Sequence, residues 1–144
     1  MPLTEEHRFG MQLANLSRGW RAELDRRLAD LGLSQARWLV LLHLSRFAEP
    51  PTQRELAQSV GVEGPTLARL LDSLESQGLV RRQAVLEDRR AKKILLGDTA
   101  RPLIEKIETI ATALRHELFE GIDDEDLRVC LHVHSKILAN LEKS

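Results

Sequence analysis

The sequence predicts a mainly α fold that contains one small β-hairpin. Leu, Ala, Glu and Arg dominate a chain of 144 residues in which aromatic side chains make up only 3%, and this composition favours helices over a sandwich or barrel. Apolar residues recur every three or four positions along most of the chain, whereas residues 79–96 contain two short runs typical of strands. The length suits one folded domain with a single core.

The N-terminal part predicts two helices. Residues 5–31 form an amphipathic pattern that ends at Gly32, a residue that favours a helix stop. Ser34 is placed to cap a second helix, LSQARWLVLLHLSRF, whose nearly continuous apolar character predicts burial beneath other elements. That helix ends before Pro50 and Pro51. The apolar stripe of the first helix consists of Phe9, Leu13, Leu16, Trp20, Leu24, Leu28 and Leu31.

Residues 52–78 predict two helices around a tight turn. Thr52 and Glu55 have the spacing of a capping box, in which each side chain accepts a hydrogen bond from the other residue's backbone N–H. Gly61 can take a positive φ in the turn, Pro65 suits the start of the second helix, and Gly78 ends it. This pattern is typical of a helix-turn-helix, and an ordinary helical hairpin is the alternative. The predicted buried face of the second helix is Leu67, Leu70, Leu71 and Leu74.

The segments LVRRQ and KKILL, directly after Gly78, predict two strands joined by the loop AVLEDRRA. They would form a hairpin, or wing. The chain has 21 basic and 22 acidic residues and a net charge of −1, yet residues 79–93 hold six basic and two acidic residues, a local net charge of +4. The remainder therefore carries −5. A basic patch on an acidic body suits a partner with a phosphate backbone, and a solvated hairpin is the alternative.

Two further helical patterns complete the chain, separated by Gly121, and the second begins near Asp123 and Asp124. We therefore divide the single domain into a winged helix-turn-helix region, about residues 34–97, and flanking helical segments at 5–31 and 98–142. The apolar stripes of the last two helices are Leu103, Ile107, Ile110, Leu114 and Leu118, then Leu127, Leu131, His134, Leu138 and Leu141.

Other classes of protein are disfavoured. Cys130 is the only cysteine and the first residues lack the apolar core of a secretory signal, which together predict a cytoplasmic location. No apolar run approaches the roughly 20 residues that span a bilayer, so no membrane partner is expected. Phosphate-binding glycine loops, nucleophile elbows and zinc-protease motifs are missing, so no enzyme is predicted. Cys130 and His134 share a helical face, but two ligands are too few for a structural zinc site, so neither a metal nor another cofactor is expected.

With these elements in order, the chain resembles the MarR family of winged helix-turn-helix transcription regulators, most closely its SlyA-like branch. The resemblance covers essentially the whole chain and is most specific in the wing, where Asp88, Arg89, Arg90, Ala91 and Lys92 match the family's D-R-R-A-K run. One departure is that Gly97 follows Leu96, where the family usually has a Thr that caps the next helix. The resemblance implies a sequence-specific regulator that binds double-stranded DNA, with terminal helices that form a homodimer.

The expected DNA contacts follow from this architecture. The helix from Pro65 to Gln77 would enter the major groove and turn Arg69, Thr66 and Ser73 outward, with Arg69 the main candidate to pair with guanine. Gln53 lies near a helix start and suits a phosphate or base contact. In the wing, Arg89 or Arg90 would enter the minor groove and Lys92 and Arg82 would contact phosphates. By resemblance, Asp88 orients a neighbouring wing arginine. A solvated polar face is the alternative for each residue.

The terminal helices carry broader apolar stripes than one winged domain covers, which predicts a two-fold dimer on a pseudo-palindromic operator. Candidates for that interface or its core are Phe9, Leu13, Leu114, Leu118, Leu131, Leu138 and Leu141.

The resemblance also implies a small-molecule site between the dimerisation helices and the winged region. Arg18, Arg21 and Trp38 match positions associated with it, and an arginine beside an aromatic wall suits a small aromatic carboxylate such as salicylate. Core packing of Trp38 and a surface role for the arginines are the alternatives. A helical protein-interaction adaptor that uses the winged fold without DNA is the competing function, because a fold does not dictate a function.

Overall fold

The computed structural model describes residues 1–85 and 88–143, and within that range the side chains of residues 88–90 are not described. The described elements are α1 (Glu5–Leu28), a short 3-10 helix (Ala29–Leu31), α2 (Gln35–Ser45), α3 (Gln53–Val60), α4 (Gly64–Ser76), β1 (Val80–Val85), β2 (Asp88–Leu96), α5 (Ala100–Leu118) and α6 (Asp124–Glu142). This order confirms the predicted fold class, mainly α with one hairpin. The chain divides into two compact units, Met1–Thr112 and Ala113–Ser144.

The core of the first unit is built around α2, as its apolar sequence predicts. Five residues of this helix are buried, and Trp38 is only 1% exposed. Leu24 and Leu28, at the C-terminal end of α1, are also buried, whereas the predicted stripe further toward the N-terminus is exposed. Ser34 occupies the cap position of α2 as predicted, but its side chain makes no capping hydrogen bond there.

Local signals set the ends of α3 and α4. The backbone N–H of Thr52 donates to Glu55 Oε1 at 3.0 Å, and the N–H of Glu55 donates to Thr52 Oγ1 at 3.1 Å, so the predicted capping box is confirmed. Gly61 ends α3 with φ 85°, and Gly78 follows α4 with φ 76°. Both angles lie in the left-handed region, where a side chain is strained. The second helix, α4, therefore begins and ends within one residue of the predicted Pro65 and Gln77.

The inner face of α4 is apolar, with Leu67, Leu71 and Leu74 fully buried. Leu70, also predicted to be buried, is only half-buried. Because three leucines on one side of α4 are excluded from water, the opposite side of the helix is turned outward.

The wing strands are longer than predicted. The expected loop covered residues 84–91, but Ala84, Val85 and the residues from Asp88 onward belong to the strands, and residues 86 and 87 lie outside the described range. The hairpin is antiparallel, and its base is tied to the start of α3 by a hydrogen bond from Ile94 N–H to the Pro51 carbonyl at 2.9 Å. The hairpin is therefore held against the helix-turn-helix by backbone pairing.

Gly97, the departure from the family pattern, has a steric reason. A Cβ atom at this position would overlap the carbonyl oxygen of Gly78, and the Gly97 N–H donates to the Leu79 carbonyl at 2.8 Å. Helix α5 begins only at Ala100, so Gly97 is not its cap. Gly97 therefore allows two backbone segments to approach closely.

The second unit contains the end of α5 and helix α6. Asp123 occupies the predicted cap position of α6, although its side chain makes no capping hydrogen bond, and three acidic residues fill the first turn. None of the side chains of α6 is buried. In the described part of the chain, no helix combines the length and the hydropathy that a membrane span requires.

Candidate nucleic-acid interface

The outward side of α4 carries polar residues at helical spacing. Arg69 is exposed, and Thr66 and Ser73 are half-buried beside it. Asp72 lies one turn after Arg69, and 69% of its side chain is exposed. The three residues predicted to read DNA from this helix are thus on the side opposite its buried leucines, together with an acidic residue that was not predicted.

A groove of about 680 Å³ runs between α3, α4 and the wing. Arg54, Arg82 and Lys92 contribute positive charge to its walls, and Asp72 contributes the one negative charge among its lining residues. Among the residues that the structure describes, the lining is Gln53, Arg54, Ala57, Gln58, Val62, Gly64, Ala68, Asp72, Arg82 and Lys92. The fold therefore brings three of the predicted contact residues, Gln53, Arg82 and Lys92, to one groove, whose described lining residues carry a net charge of +2.

Arg54 lines the same groove and was not among the predicted site residues. It lies between Thr52 and Glu55, inside the capping box, directly after Gln53, which was predicted to contact DNA. Its side chain is exposed. The sequence did contain a signal for Arg54. A basic residue in the first turn of a helix suits a phosphate partner, since helix starts favour anions.

The strand register distributes the wing's basic residues over two faces. Arg82 pairs with Ile94 and Ala84 pairs with Lys92, so Arg82 and Lys92 lie on the face that carries buried Ile94. Arg81 is adjacent to Arg82 in β1, and Lys93 is adjacent to Lys92 in β2. Both point to the opposite face, because side chains alternate along a strand. Both are exposed. The wing is therefore basic on both sides.

Lys93 also affects the start of α3. The pKa of Glu55 lies below its ordinary value because the Thr52 backbone and hydroxyl are hydrogen bonded to its carboxylate, and the positive charge of Lys93 adds to the effect. Thr52 and Lys93 form an isolated antiparallel bridge. The wing and the capping box are thus linked by backbone pairing and by charge.

Arg82 is held by α4 and is not free in the groove. Its guanidinium donates to Asp72 Oδ1 at 2.8 Å, to Glu75 Oε1 at 3.2 Å and to the Ala68 carbonyl at 2.9 Å, and only 14% of its side chain is exposed. Its backbone N–H donates to Glu75 Oε2 at 3.2 Å. This geometry favours a link between β1 and α4 over the predicted phosphate contact, because three acceptors on α4 already engage the guanidinium.

Three predicted wing residues cannot be placed in this way. Asp88, Arg89 and Arg90 belong to β2 by their backbone, but their side chains lie outside the described residues. Their proposed roles in the minor groove therefore stay predictions.

Comparison with known proteins agrees with this architecture. The sequence profile of the MarR family matches residues 31–91. The crystal structure of the transcriptional regulator PA3341 is 66% identical, with a TM-score of 0.89, and the match covers 94% of this chain and 99% of that one. A MarR-family regulator from Silicibacter pomeroyi is 28% identical, with a TM-score of 0.84, over 97% of this chain and 96% of that one.

The chain belongs to the MarR family of transcriptional regulators. The predicted family and the winged helix fold are thereby confirmed. Another similar structure is that of CouR from Rhodococcus jostii, solved with p-coumaroyl-CoA, which is 26% identical with a TM-score of 0.77 over 90% of each chain.

The residues predicted to form an effector site in this MarR-family protein are not among those that line the groove. Trp38 is buried, and its indole N–H donates to Asp25 Oδ1 at 3.2 Å. Trp38 is thus a core residue with a satisfied donor, which favours the core-packing alternative, and its role as the wall of a ligand pocket stays a prediction. Arg18 is exposed and hydrogen bonded to Asn15, and Arg21 is exposed.

Arg21 nevertheless lies in a basic neighbourhood. Burial lowers the pKa of His43, and the positive charges of Arg46 and Arg21 lower it further. His43 Nδ1 and Ser59 Oγ are hydrogen bonded at 2.8 Å, which links α2 to α3. Close to the helix-turn-helix, the first unit therefore has a second concentration of basic groups that is separate from the groove.

Proposed function

We propose that this MarR-family protein binds double-stranded DNA sequence-specifically as a homodimer and recognises a pseudo-palindromic operator. The observation that carries the proposal is the exposed Arg69 on the outer side of α4, next to a groove that Arg54 and Lys92 line. An α-helix fits the major groove, and an arginine fork can pair with O6 and N7 of guanine. The basic groove supplies sequence-independent attraction to the phosphates.

The remaining polar residues divide by position. Gln53, Arg54 and Lys92 would bind phosphates along the groove, and Thr66 and Ser73 would make hydrogen bonds from α4 to the backbone or base edges. Arg89 or Arg90 would enter the minor groove from the wing, with Asp88 orienting a neighbouring wing arginine. In this arrangement one copy of the chain contacts one half-site.

Exposed apolar surface supports the homodimer. Every residue from 1 to 22 is exposed, and this segment includes Phe9 at 42%, Leu13 at 47% and Leu16 at 66% exposure. In α6, Leu131 and Leu138 are 52% and 60% exposed. Helices that leave this much apolar surface in water normally mark an interface. Of the other predicted interface residues, Leu118 and Leu141 are exposed and Leu114 is buried.

Arg69→Ala is expected to relax the preference for one base pair in each half-site. The lost guanine contact is worth about 1–3 kcal/mol of discrimination, so binding to the preferred site should weaken while binding to variants of that base pair changes little. Lys92→Ala should weaken binding to all sequences alike and reduce its salt dependence. Duplexes selected from a random-sequence pool and titrated by fluorescence anisotropy at two salt concentrations provide the measurement.

Arg26→Ala is the matched control, because Arg26 is an exposed arginine on α1 that pairs with Glu23. Equal, salt-insensitive binding by the Arg69 and Lys92 variants would reject the assignments. If the wild-type protein binds no duplex even at low salt, a protein-interaction adaptor becomes the better proposal for its function.

We also propose release from DNA by a small aromatic carboxylate. The support is the basic neighbourhood of Arg21 and the aromatic thioester bound by CouR. A ligand lowers DNA affinity if it binds preferentially to a dimer whose two α4 helices, the recognition helices, are wrongly spaced for the two half-sites. Titration of salicylate against a protein–DNA sample should release labelled DNA, with cyclohexane carboxylate as the non-aromatic control. Unchanged binding at millimolar salicylate would remove this part of the proposal.

A further inference from the structure

The outer side of α4 carries acidic groups, which would repel phosphates if this helix reads DNA. Asp72 lies one turn from Arg69 and lines the basic groove, with 69% of its side chain exposed. Glu75, on the following turn, is 41% exposed. A carboxylate so close to a phosphate strand would oppose binding unless a cation neutralises it.

Arg82 is the cation in contact with both acids. Its acceptors Ala68, Asp72 and Glu75 are spaced by four and three residues, so they form one stripe along α4 that faces β1. Because this guanidinium is largely withdrawn from water, its ion pairs are less screened by salt than surface pairs. The same contacts fix α4 against the wing at two successive turns.

We propose that Arg82 is a positioning residue that acts as an internal counter-ion of the recognition helix, neutralising Asp72 and Glu75 so that the groove accepts a phosphate strand. This inference rests on the proposed DNA-binding function. It differs from the sequence-based prediction, in which Arg82 itself binds phosphate. The two roles make opposite predictions about what happens when the carboxylates are removed.

The test compares Arg82→Gln with the triple variant Arg82→Gln, Asp72→Asn, Glu75→Gln in the full-length protein. The probe is a duplex that the wild-type protein selects from a random-sequence pool, and affinity is measured by fluorescence anisotropy. Arg82→Gln leaves two unneutralised carboxylates and should weaken binding about tenfold or more, as like-charge contacts do in other interfaces. The triple variant should recover most of that loss, because no uncompensated acid remains.

Salt provides the second readout. The dissociation constant of Arg82→Gln divided by that of the triple variant should shrink as ionic strength rises from about 0.05 to about 0.2 M, because salt screens the repulsion from the exposed carboxylates. A merely structural role of Arg82 would give a ratio that does not change with salt. Failure of the triple variant to recover affinity, or a salt-independent ratio, overturns the inference.

The double variant Asp72→Asn, Glu75→Gln guards against a folding defect of the Arg82 variants, since it retains Arg82. It should bind the duplex at least as tightly as the wild type, and circular dichroism checks its helix content. Binding weaker than wild type by a folded double variant would contradict the counter-ion role. Failure of the wild-type protein to retain any duplex would instead reject the proposed function, so the two failures are distinguishable.

Discussion

Replacing Leu131 and Leu138 of α6 with glutamate is expected to convert the proposed dimer to a monomer and to abolish tight operator binding. The two leucines lie seven residues apart on one side of the helix and are more than half exposed in the single chain. Burying two carboxylates in an apolar interface is prohibitive unless each finds a partner. Because a monomer engages only one half-site, affinity should fall by about 100- to 10,000-fold, the usual gain from linked binding.

Sedimentation velocity at micromolar protein gives the oligomeric state, and anisotropy with a selected duplex gives the affinity. Lys136→Glu is the control, since it adds negative charge on another side of the same exposed helix. It should leave both measurements close to those of the wild type. A double leucine variant that remains dimeric and binds DNA normally would show that this side of α6 is not the interface, and a monomeric wild type would refute the dimer itself.

Trp38→Ala is expected to produce the largest loss of stability of any single substitution considered for the first unit. Trp38 is 1% exposed near the N-terminal end of α2, and removing a buried aromatic side chain of this size costs about 3–5 kcal/mol. Marginally stable domains of this length lose much of their folded population at such a cost. Urea unfolding followed by circular dichroism, at fixed protein concentration because a dimer couples unfolding to association, provides the measurement.

Trp38→Phe is the matched variant, because it keeps an aromatic ring and loses the hydrogen bond to Asp25. That bond is worth about 0.5–1.5 kcal/mol, so the loss of stability should be clearly smaller than for alanine. If Trp38→Ala left the unfolding midpoint unchanged and altered only ligand binding, the residue would be a pocket wall after all, as the sequence had suggested.

Much of the helix-turn-helix could be predicted because its signals are local. The Thr52–Glu55 capping box, the positive φ of Gly61 and the stop at Gly78 each depend on residues within a few positions along the chain. The buried stripe of α4 follows from the 3.6-residue period. The longer strands of the wing were missed because charged residues are poor strand signals, although in an antiparallel pair the partner strand supplies the hydrogen bonds that keep them extended.

The sequence by itself determined the order of elements, the placement of Arg69 opposite the leucines of α4 and the basic character of the wing, because these properties depend on spacing and composition. Only the tertiary structure decided which basic side chains are available. Arg82 meets carboxylates 10 and 7 residues away, and Trp38 meets Asp25 across 13 residues. Gly97 is required because the Gly78 backbone approaches it. Such contacts depend on how helices and strands pack against each other, and sequence periodicity does not show which residues distant in the sequence meet.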